Sequence, residues 1–351
     1  MLTYDAMSGT LHGLPSEEAI AAYYTGLRPF WHAVAPVEAV SERPVAVTLL
    51  GQRLVLARLS GRVVAFDDLC RHLGAALSVG EIVDGCYLRC RYHGWTFDES
   101  GACIDIPARR DAPIPTGACV RSYPTREAYG LIWVCLDTAR AHELPRFPEA
   151  SDPRFHFGAI RTYEPWQASA TRIIMGALDD THFAWVHPHT LGDPAHPEPP
   201  DHRVWRAGDA LLVEYTIAQP TSALSAGGGH AAAGTTTPVT YAIEATPTTV
   251  ILRKRGVAGT FIVWLAVCPR SYNESLTFWR IGRDYDTDPE RDREHEAFQD
   301  IVRGEDRLVV ESQRPWLLPP LSSSLLLYIR PADLPLIEYQ KWMEDLGIPR
   351  I

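Results

Sequence analysis

The sequence predicts an α+β protein in two parts, an all-β domain followed by a domain in which helices pack against an antiparallel sheet. Three observations carry this. Between Val45 and Leu136, short β-branched and apolar runs alternate with Gly-centred turns, the pattern of linked hairpins. After Asp137, a stretch rich in Pro and acidic residues, HELPRFPEASDPRF, breaks that pattern. Beyond it, two helical segments flank a series of strand-like runs, the arrangement expected of helices against a sheet. The expected boundaries are 1–42 for an N-terminal segment packing on the second domain, 43–140 for the β domain and 141–351 for the second domain.

Taken in order, residues 16–35 (SEEAIAAYYTGLRPFWHAVA) suit a short amphipathic helix and an aromatic docking segment that ends at Pro36. VTLLGQRLVLARLSGRVVAFDD carries two Gly-centred turns between apolar runs, and WTFDESGACIDI predicts a further hairpin turning at Ser100-Gly101. Pro107, Pro113 and Pro115 mark a loop, after which Val120–Tyr123 and Leu131–Leu136 complete a β unit. In the second domain a helix is expected over 168–187 and strands over 211–217, 239–244, 249–255, 260–268 and 274–281. A second helix is expected at about 289–313, because Asp288-Pro289 supplies an N-cap and a first-turn proline. The Gly/Ala-rich insert 221–237 suits a surface loop or a lid over a pocket.

Chemistry concentrates between Cys70 and Trp95. Two short pairs stand there, Cys70-x-His72 and Cys90-x-x-His93, with seventeen residues between them. Structural zinc sites group like ligands, whereas each pair here mixes a thiolate with an imidazole. Two cysteines then hold one iron of a [2Fe–2S] cluster and two histidines the other, which is Rieske ligation. Gly74, Gly80 and Gly94-Trp95 extend the likeness to the Rieske motif across the whole stretch. Cys86, between the pairs, is assigned a structural role.

Composition narrows the function classes. The net charge of −10 argues against nucleic acid as a partner. A hydrophobic content of 46% with 22% charged residues is ordinary for a globular chain. Apolar runs such as Phe261–Cys268 are far too short to span a bilayer, and no secretory pattern opens the sequence, so a cytoplasmic protein without a membrane partner is expected. Seven cysteines without a pairing pattern suit reduced thiols. No P-loop or G-x-G-x-x-G fingerprint occurs, so electrons for a cluster must come from another protein, with NAD(P)H entering only through that reductase or ferredoxin partner.

The segment 168–187 holds Asp179, Asp180, His182 and His187. Asp179 and His182 share a helix face, but His182 and His187 lie about 140° apart on a regular helix. They meet one metal only if the helix distorts or ends at His187, where Pro188 disfavours helical geometry. Alone they are ordinary helix histidines. A one-electron cluster, however, needs an acceptor, and a neighbouring histidine site supplies one. An acid from the second helix is the natural third ligand, with Asp300, Glu305, Asp306 and Glu311 as candidates. Asp300 and Glu311 point away from the stripe of Phe298, Ile301, Val302 and Val309, and periodicity does not separate Glu305 from Asp306.

D-x-x-H-x-x-x-x-H, following a Rieske motif, resembles the mononuclear-iron motif of the Rieske non-haem iron oxygenases over nearly the whole chain. GEDRLVVESQ resembles that family's C-terminal acidic run, which implies Asp306 as the iron ligand beside His182 and His187, a 2-His-1-carboxylate set with open positions for O2. The resemblance further implies a helix-grip, START-like catalytic domain. It implies a homotrimer, in which Asp179 bridges His182 to His93 or His72 of a neighbouring copy. Asp180 is expected to be solvated, His189 is a minor alternative ligand, and His32 and His196 are structural. Many relatives carry Asn or Glu where this chain has Gly176 and Met175, so the polar support of the metal differs here. Arg71 and Arg91 suit a landing patch for an acidic donor protein. The patterns THFAWVHP, LGDP and YQKWMEDL resemble the monooxygenases that include bacterial N- and O-demethylases. This implies hydroxylation of a small organic substrate, including methyl groups then lost as formaldehyde. Arene cis-dihydroxylation uses the same ligands, while a pure electron carrier needs only residues 1–140. Pocket residues are expected from 221–281 and 313–328.

Overall fold

The computed structural model describes residues 3–5, 10–12, 14–220 and 235–348. It divides into two compact units, Arg28–Leu144 and a second formed by Met1–Leu27 with Pro145–Ile351. The first boundary therefore falls at residue 28 rather than 43. The reason is pairing: Trp31–Pro36, expected as a docking segment on the second domain, is a strand that pairs antiparallel with Leu131–Cys135.

The smaller unit is all β. Val45–Leu49, Gln52–Leu59 and Arg62–Asp67 run as consecutive antiparallel strands, with Ser122–Tyr123 joining the last. The turns Leu50-Gly51 and Ser60-Gly61 have positive φ at both residues, the backbone twist that two-residue hairpins require. A second sheet orders Glu81–Val83, Tyr87–Arg89, Thr96–Phe97 and Cys103–Asp105, with the turn at Gly101 where the sequence placed it. Val55, Phe66, Leu77, Leu88 and Phe97 pack into one core that also contains Cys70 and Cys90.

The larger unit is built on an antiparallel sheet. From one edge it orders His156–Phe157, Ser275–Arg283, Thr260–Pro269, Thr249–Arg255, Thr236–Ala245, Ala210–Pro220 and Arg203–Ala207, with Arg161–Thr162 also on Ser275–Arg283. Every strand anticipated in this unit is present, 249–255 with the bounds expected and the others with ends shifted by one to three residues, and the short strands His156–Phe157, Arg161–Thr162 and Arg203–Ala207 are additional. Residues 221–234 of the anticipated insert lie outside the described residues, and Thr236 already opens a strand.

Five helices complete the described part of this unit: α1 (Glu17–Leu27), α2 (Ala170–Leu178), α3 (Phe183–Val186), α4 (Asp292–Ser312) and α5 (Leu334–Asp345). The Tyr23 hydroxyl of α1 accepts from the backbone N–H of Ala170 at 3.0 Å, and the Ser169 side chain accepts from Arg172 N–H, so the start of α2 is tied twice. α2 packs on the strands from Thr236 to Pro269 and against α4 and α5. Asp288 caps a 3-10 turn, Pro289–Arg291, that leads into α4, so the expected cap forms but the α-helix itself starts at Asp292 rather than at 289. The single helix expected over 168–187 is instead two. α2 stops at Leu178, Asp179 is extended (φ −82°, ψ 132°), and α3 is one turn between His182 and His187.

Candidate metal centres

In the smaller unit, two loops built alike present the cysteine and histidine pairs. Gly74 N–H donates to Cys70 O and Gly94 N–H to Cys90 O, both at 3.0 Å. Cys70 N–H donates to Ala75 O and Cys90 N–H to Trp95 O, both at 2.8 Å. Each loop closes four residues after its cysteine on a glycine with φ near +75°, a conformation that side chains beyond glycine rarely adopt. The cysteines are buried (3% and 1% exposed), while His72 and His93 face outward with their Nδ1 atoms 3.0 Å apart. His72 also stacks on Trp95, centroids 4.9 Å apart.

Burial pushes the Cys70 thiol up to about 11, and the neighbouring Cys90 adds to this, so a thiolate here calls for a cation. Among the described residues, only His182, His187 and Asp306 bring three or more such donors within 4.8 Å of one another. The cysteine and histidine pairs thus do not form the single tetrahedral shell that one zinc needs. Thiols inside and imidazoles outside suit a two-iron cluster. Cys86 is half-buried, in keeping with a structural role.

In the larger unit, the break after α2 brings the two histidines together. Asp179 Oδ1 accepts from the N–H and Oγ1 of Thr181 at 2.9 and 2.7 Å, a local turn that stops the helix. Its Oδ2 lies 3.3 Å from His182 Nδ1. His182 and His187 then bracket α3 with ring centroids 5.2 Å apart. Their Nε2 atoms lie 3.3 and 2.8 Å from one oxygen, Asp306 Oδ1. His187 is almost wholly buried, and its Nδ1 meets Glu305 Oε2 at 2.7 Å. Each imidazole is therefore gripped at Nδ1 by one carboxylate while Nε2 points to a common centre.

The four acids weighed for the third position separate cleanly. Asp300 accepts from Arg161 and Tyr163, and Glu311 from Gln167 N–H and Arg307, away from the histidines. Asp306 is the acid on the Nε2 side, and Glu305 takes the Nδ1 of His187. Asp180 is buried rather than solvated: its Oδ1 meets His202 Nε2 at 2.8 Å, a partner twenty-two residues away. His189 and His196 are exposed and outside the converging set, and His32 is buried in the smaller unit.

Electrostatics suit a cation at the centre. Burial opposes charge on all three groups, yet Asp179 and Asp306 together raise the His182 pKa to about 9. The two histidines hold Asp306 down at about 2, and His182 with Thr181 holds Asp179 below the usual carboxylate range. A dication held at the Nε2 atoms would take the place of the His182 proton between these carboxylates. Two imidazoles and one carboxylate leave coordination positions open, which fits a mononuclear iron.

The same side chains line a cavity. One lobe of about 510 Å³ is lined by Trp166, Ile173, Trp279 and Val309 beside Asp179, His182 and Asp306. A second of about 460 Å³ adds His187, Leu252, Lys254, Val263 and Gln299. Most of the lining comes from α2, α4 and the strands Thr249–Arg283, so the helices contribute more than expected, and of 313–328 only Gln313 lines either lobe.

Residues 30–124 match the family model of the Rieske [2Fe–2S] domain, and residues 166–347 match that of the vanillate O-demethylase oxygenase C-terminal domain. The chain belongs to the Rieske oxygenases. It is 34% identical to methylxanthine N1-demethylase NdmA of Pseudomonas putida over 91% of this chain and 89% of that one. With methylxanthine N3-demethylase NdmB of the same organism the identity is 32%, over 93% and 91%. The structure of NdmA with caffeine superposes with a TM-score of 0.83 at 32% identity, covering 93% of this chain and 92% of that one. Dicamba monooxygenase, at 23% identity and a TM-score of 0.75, shares the fold. A 109-residue stretch is 43% identical to oxidoreductase NdmD of P. putida, covering 30% of this chain and 18% of that protein. This Rieske oxygenase is thus a non-haem iron monooxygenase that carries a [2Fe–2S] cluster and a mononuclear iron and takes its electrons from a separate reductase. No helix among its described residues is long and apolar enough to cross a membrane.

Proposed function

We propose that this Rieske oxygenase removes a methyl group from a small aromatic or heteroaromatic substrate, with His182, His187 and Asp306 holding the mononuclear iron. Cys70, Cys90, His72 and His93 hold the cluster. The observation that supports this best is the convergence of both Nε2 atoms on Asp306 Oδ1 at the wall of a largely apolar cavity. When bound, the iron supplies dioxygen activation and the cluster an electron. One oxygen atom enters a methyl C–H bond and the other leaves as water with two electrons and two protons, after which the hydroxymethyl group departs as formaldehyde. The demethylase relatives favour this outcome over arene dihydroxylation.

The chain's own groups position and shield. Glu305 and Asp179 fix the imidazoles so that each Nε2 lone pair faces the centre. Trp166, Ile173, Leu265 and Trp279 hold an apolar substrate body and exclude water. Asp179 is the carboxylate through which an electron reaches His182, and its other contact is a cluster histidine, His72 or His93, of a neighbouring copy in a homotrimer. The protein works in the cytoplasm with a reductase or ferredoxin as donor.

Iron analysis tests the assignment. The wild type should hold about three irons per chain, and His182→Ala about two, with the visible spectrum of the cluster retained and turnover lost. An active His182→Ala protein would overturn the assignment.

A further inference from the structure

The cavity holds a cation that the reaction above does not use. Lys254 lies on Thr249–Arg255, opposite Tyr241 on one neighbouring strand and Phe261 on the other. Strand alternation separates it from Arg253, which pairs with Glu149 and Glu244. Lys254 is only 5% exposed, and its ammonium sits 5.5 Å from the centre of the Tyr241 ring. Among the described residues it forms no ion pair and no hydrogen bond. The other charged groups lining this lobe are Asp179, Asp306 and their two histidines, and these acids are engaged with His182 and His187. A buried ammonium is unfavourable unless it is compensated: burial draws its pKa down to about 8, and the Asp306 carboxylate, which makes no ion pair with it, offsets this only in part.

We propose that Lys254 determines the substrate specificity of this cavity by pairing with a carboxylate on the substrate. The class it selects is a small aromatic carboxylate. Leu252, Val263, Leu265 and Trp279 receive the ring, and the methyl-bearing edge lies toward His182, His187 and Asp306. What carries this is a charged side chain that is buried, without an ion-pair or hydrogen-bond partner among the described residues, in the lobe that His182, His187 and Asp306 also line. A neutral substrate would leave the ammonium with only the distant pull of Asp306, whereas a carboxylate supplies a charge-assisted bond in a water-poor site. The proposal rests on the triad being the metal centre, since only then does a ligand held in this lobe lie against the reacting position.

Equilibrium binding to the iron-loaded protein tests this without turnover, read by quenching of tryptophan fluorescence, because Trp166 and Trp279 line the cavity. The probes are benzoate, 4-methoxybenzoate and vanillate, each against its primary amide, with caffeine and theobromine as neutral bicyclic probes. The carboxylates should bind at least about tenfold more tightly than their amides, the worth of one charge-assisted bond. Lys254→Met should abolish that preference while leaving amide binding within about twofold, and Lys254→Arg should keep most of it. Iron content and cluster spectrum show that each variant is folded and loaded. Carboxylates binding no better than amides, or methylxanthines binding best and indifferently to Lys254→Met, would overturn the proposal. So would loss of the mononuclear iron from both variants, which would make Lys254 a charge balance for the triad. Carboxylate preference in a loaded enzyme that releases no formaldehyde would refute the demethylation and leave the role of Lys254 standing.

Discussion

Replacing Glu305 by Leu should loosen the mononuclear iron without touching the cluster. Glu305 Oε2 is 2.7 Å from Nδ1 of His187, whose ring is 1% exposed. That contact keeps the proton on Nδ1 and the lone pair on Nε2, 2.8 Å from Asp306 Oδ1. Leu at 305 leaves a buried N–H without an acceptor, a loss of about 1–3 kcal/mol. It also frees the ring to take the other tautomer, in which Nε2 carries the proton and cannot bind metal. The Glu305 side chain is 39% exposed, so water compensates in part and the lower half of that range applies. Iron affinity should therefore fall about tenfold, at the low end of the range for groups that orient metal ligands. Glu305→Gln, which keeps an acceptor, should lose about threefold or less. Anaerobic competition with a chromogenic Fe(II) chelator measures both, with the cluster absorbance as internal control of folding. A Leu variant that binds iron within twofold of wild type would refute the argument.

Three further outcomes follow from the geometry. Asp179→Asn should retain both metals, because its Oδ1 still accepts from Thr181, yet slow cluster-to-iron electron transfer in single turnover by tenfold or more; unchanged transfer removes Asp179 from the path. Asp292 at the start of α4 accepts from His156 and the fully buried Arg283, which together outweigh burial and hold its carboxyl below the usual range. A depressed folded-state pKa stabilises above the unfolded value near 4 and is lost as pH falls through the folded one. Asp292→Asn should thus cost about 1.5–3 kcal/mol at pH 7 by urea unfolding and progressively less toward pH 3. At Gly192 a Cβ would come within 2.3 Å of the backbone of Phe183 and Ala184, so Gly192→Ala must push α3 aside. Mononuclear iron content should drop while the cluster spectrum stays.

Much of this was legible in the chain because it rests on short-range pattern. The cysteine and histidine pairs, the glycine turns at 51, 61 and 101, and the N-cap at Asp288 each depend on a few neighbouring residues. Asp306 was legible only through likeness to a family run, since helix periodicity leaves it level with Glu305. What was missed depends on distant partners. Glu305 acquires its role from a histidine more than a hundred residues earlier, and Asp180 is buried by His202 on a separate segment. Trp31–Pro36 reads as a docking segment until Leu131–Cys135 arrives beside it. The break at Asp179 did have a local signal, an Asp two residues before Thr, but the apolar periodicity of α2 masked it. Lys254 stands in a basic run, Arg-Lys-Arg, that gives no hint that only its middle member faces inward.

The sheet supplies none of the proposed metal donors, yet it supplies much of the cavity wall. Leu252 faces Val263 across one strand pair, Leu265 faces Trp279 across the next, and Lys254 continues the row. His182, His187 and Asp306 all come from the helical side. Oxidising power and molecular taste therefore sit on different pieces of chain. A lineage, or an engineer, is free to rewrite five inward positions on three adjacent strands and change what is accepted, while the oxidant is left as it was.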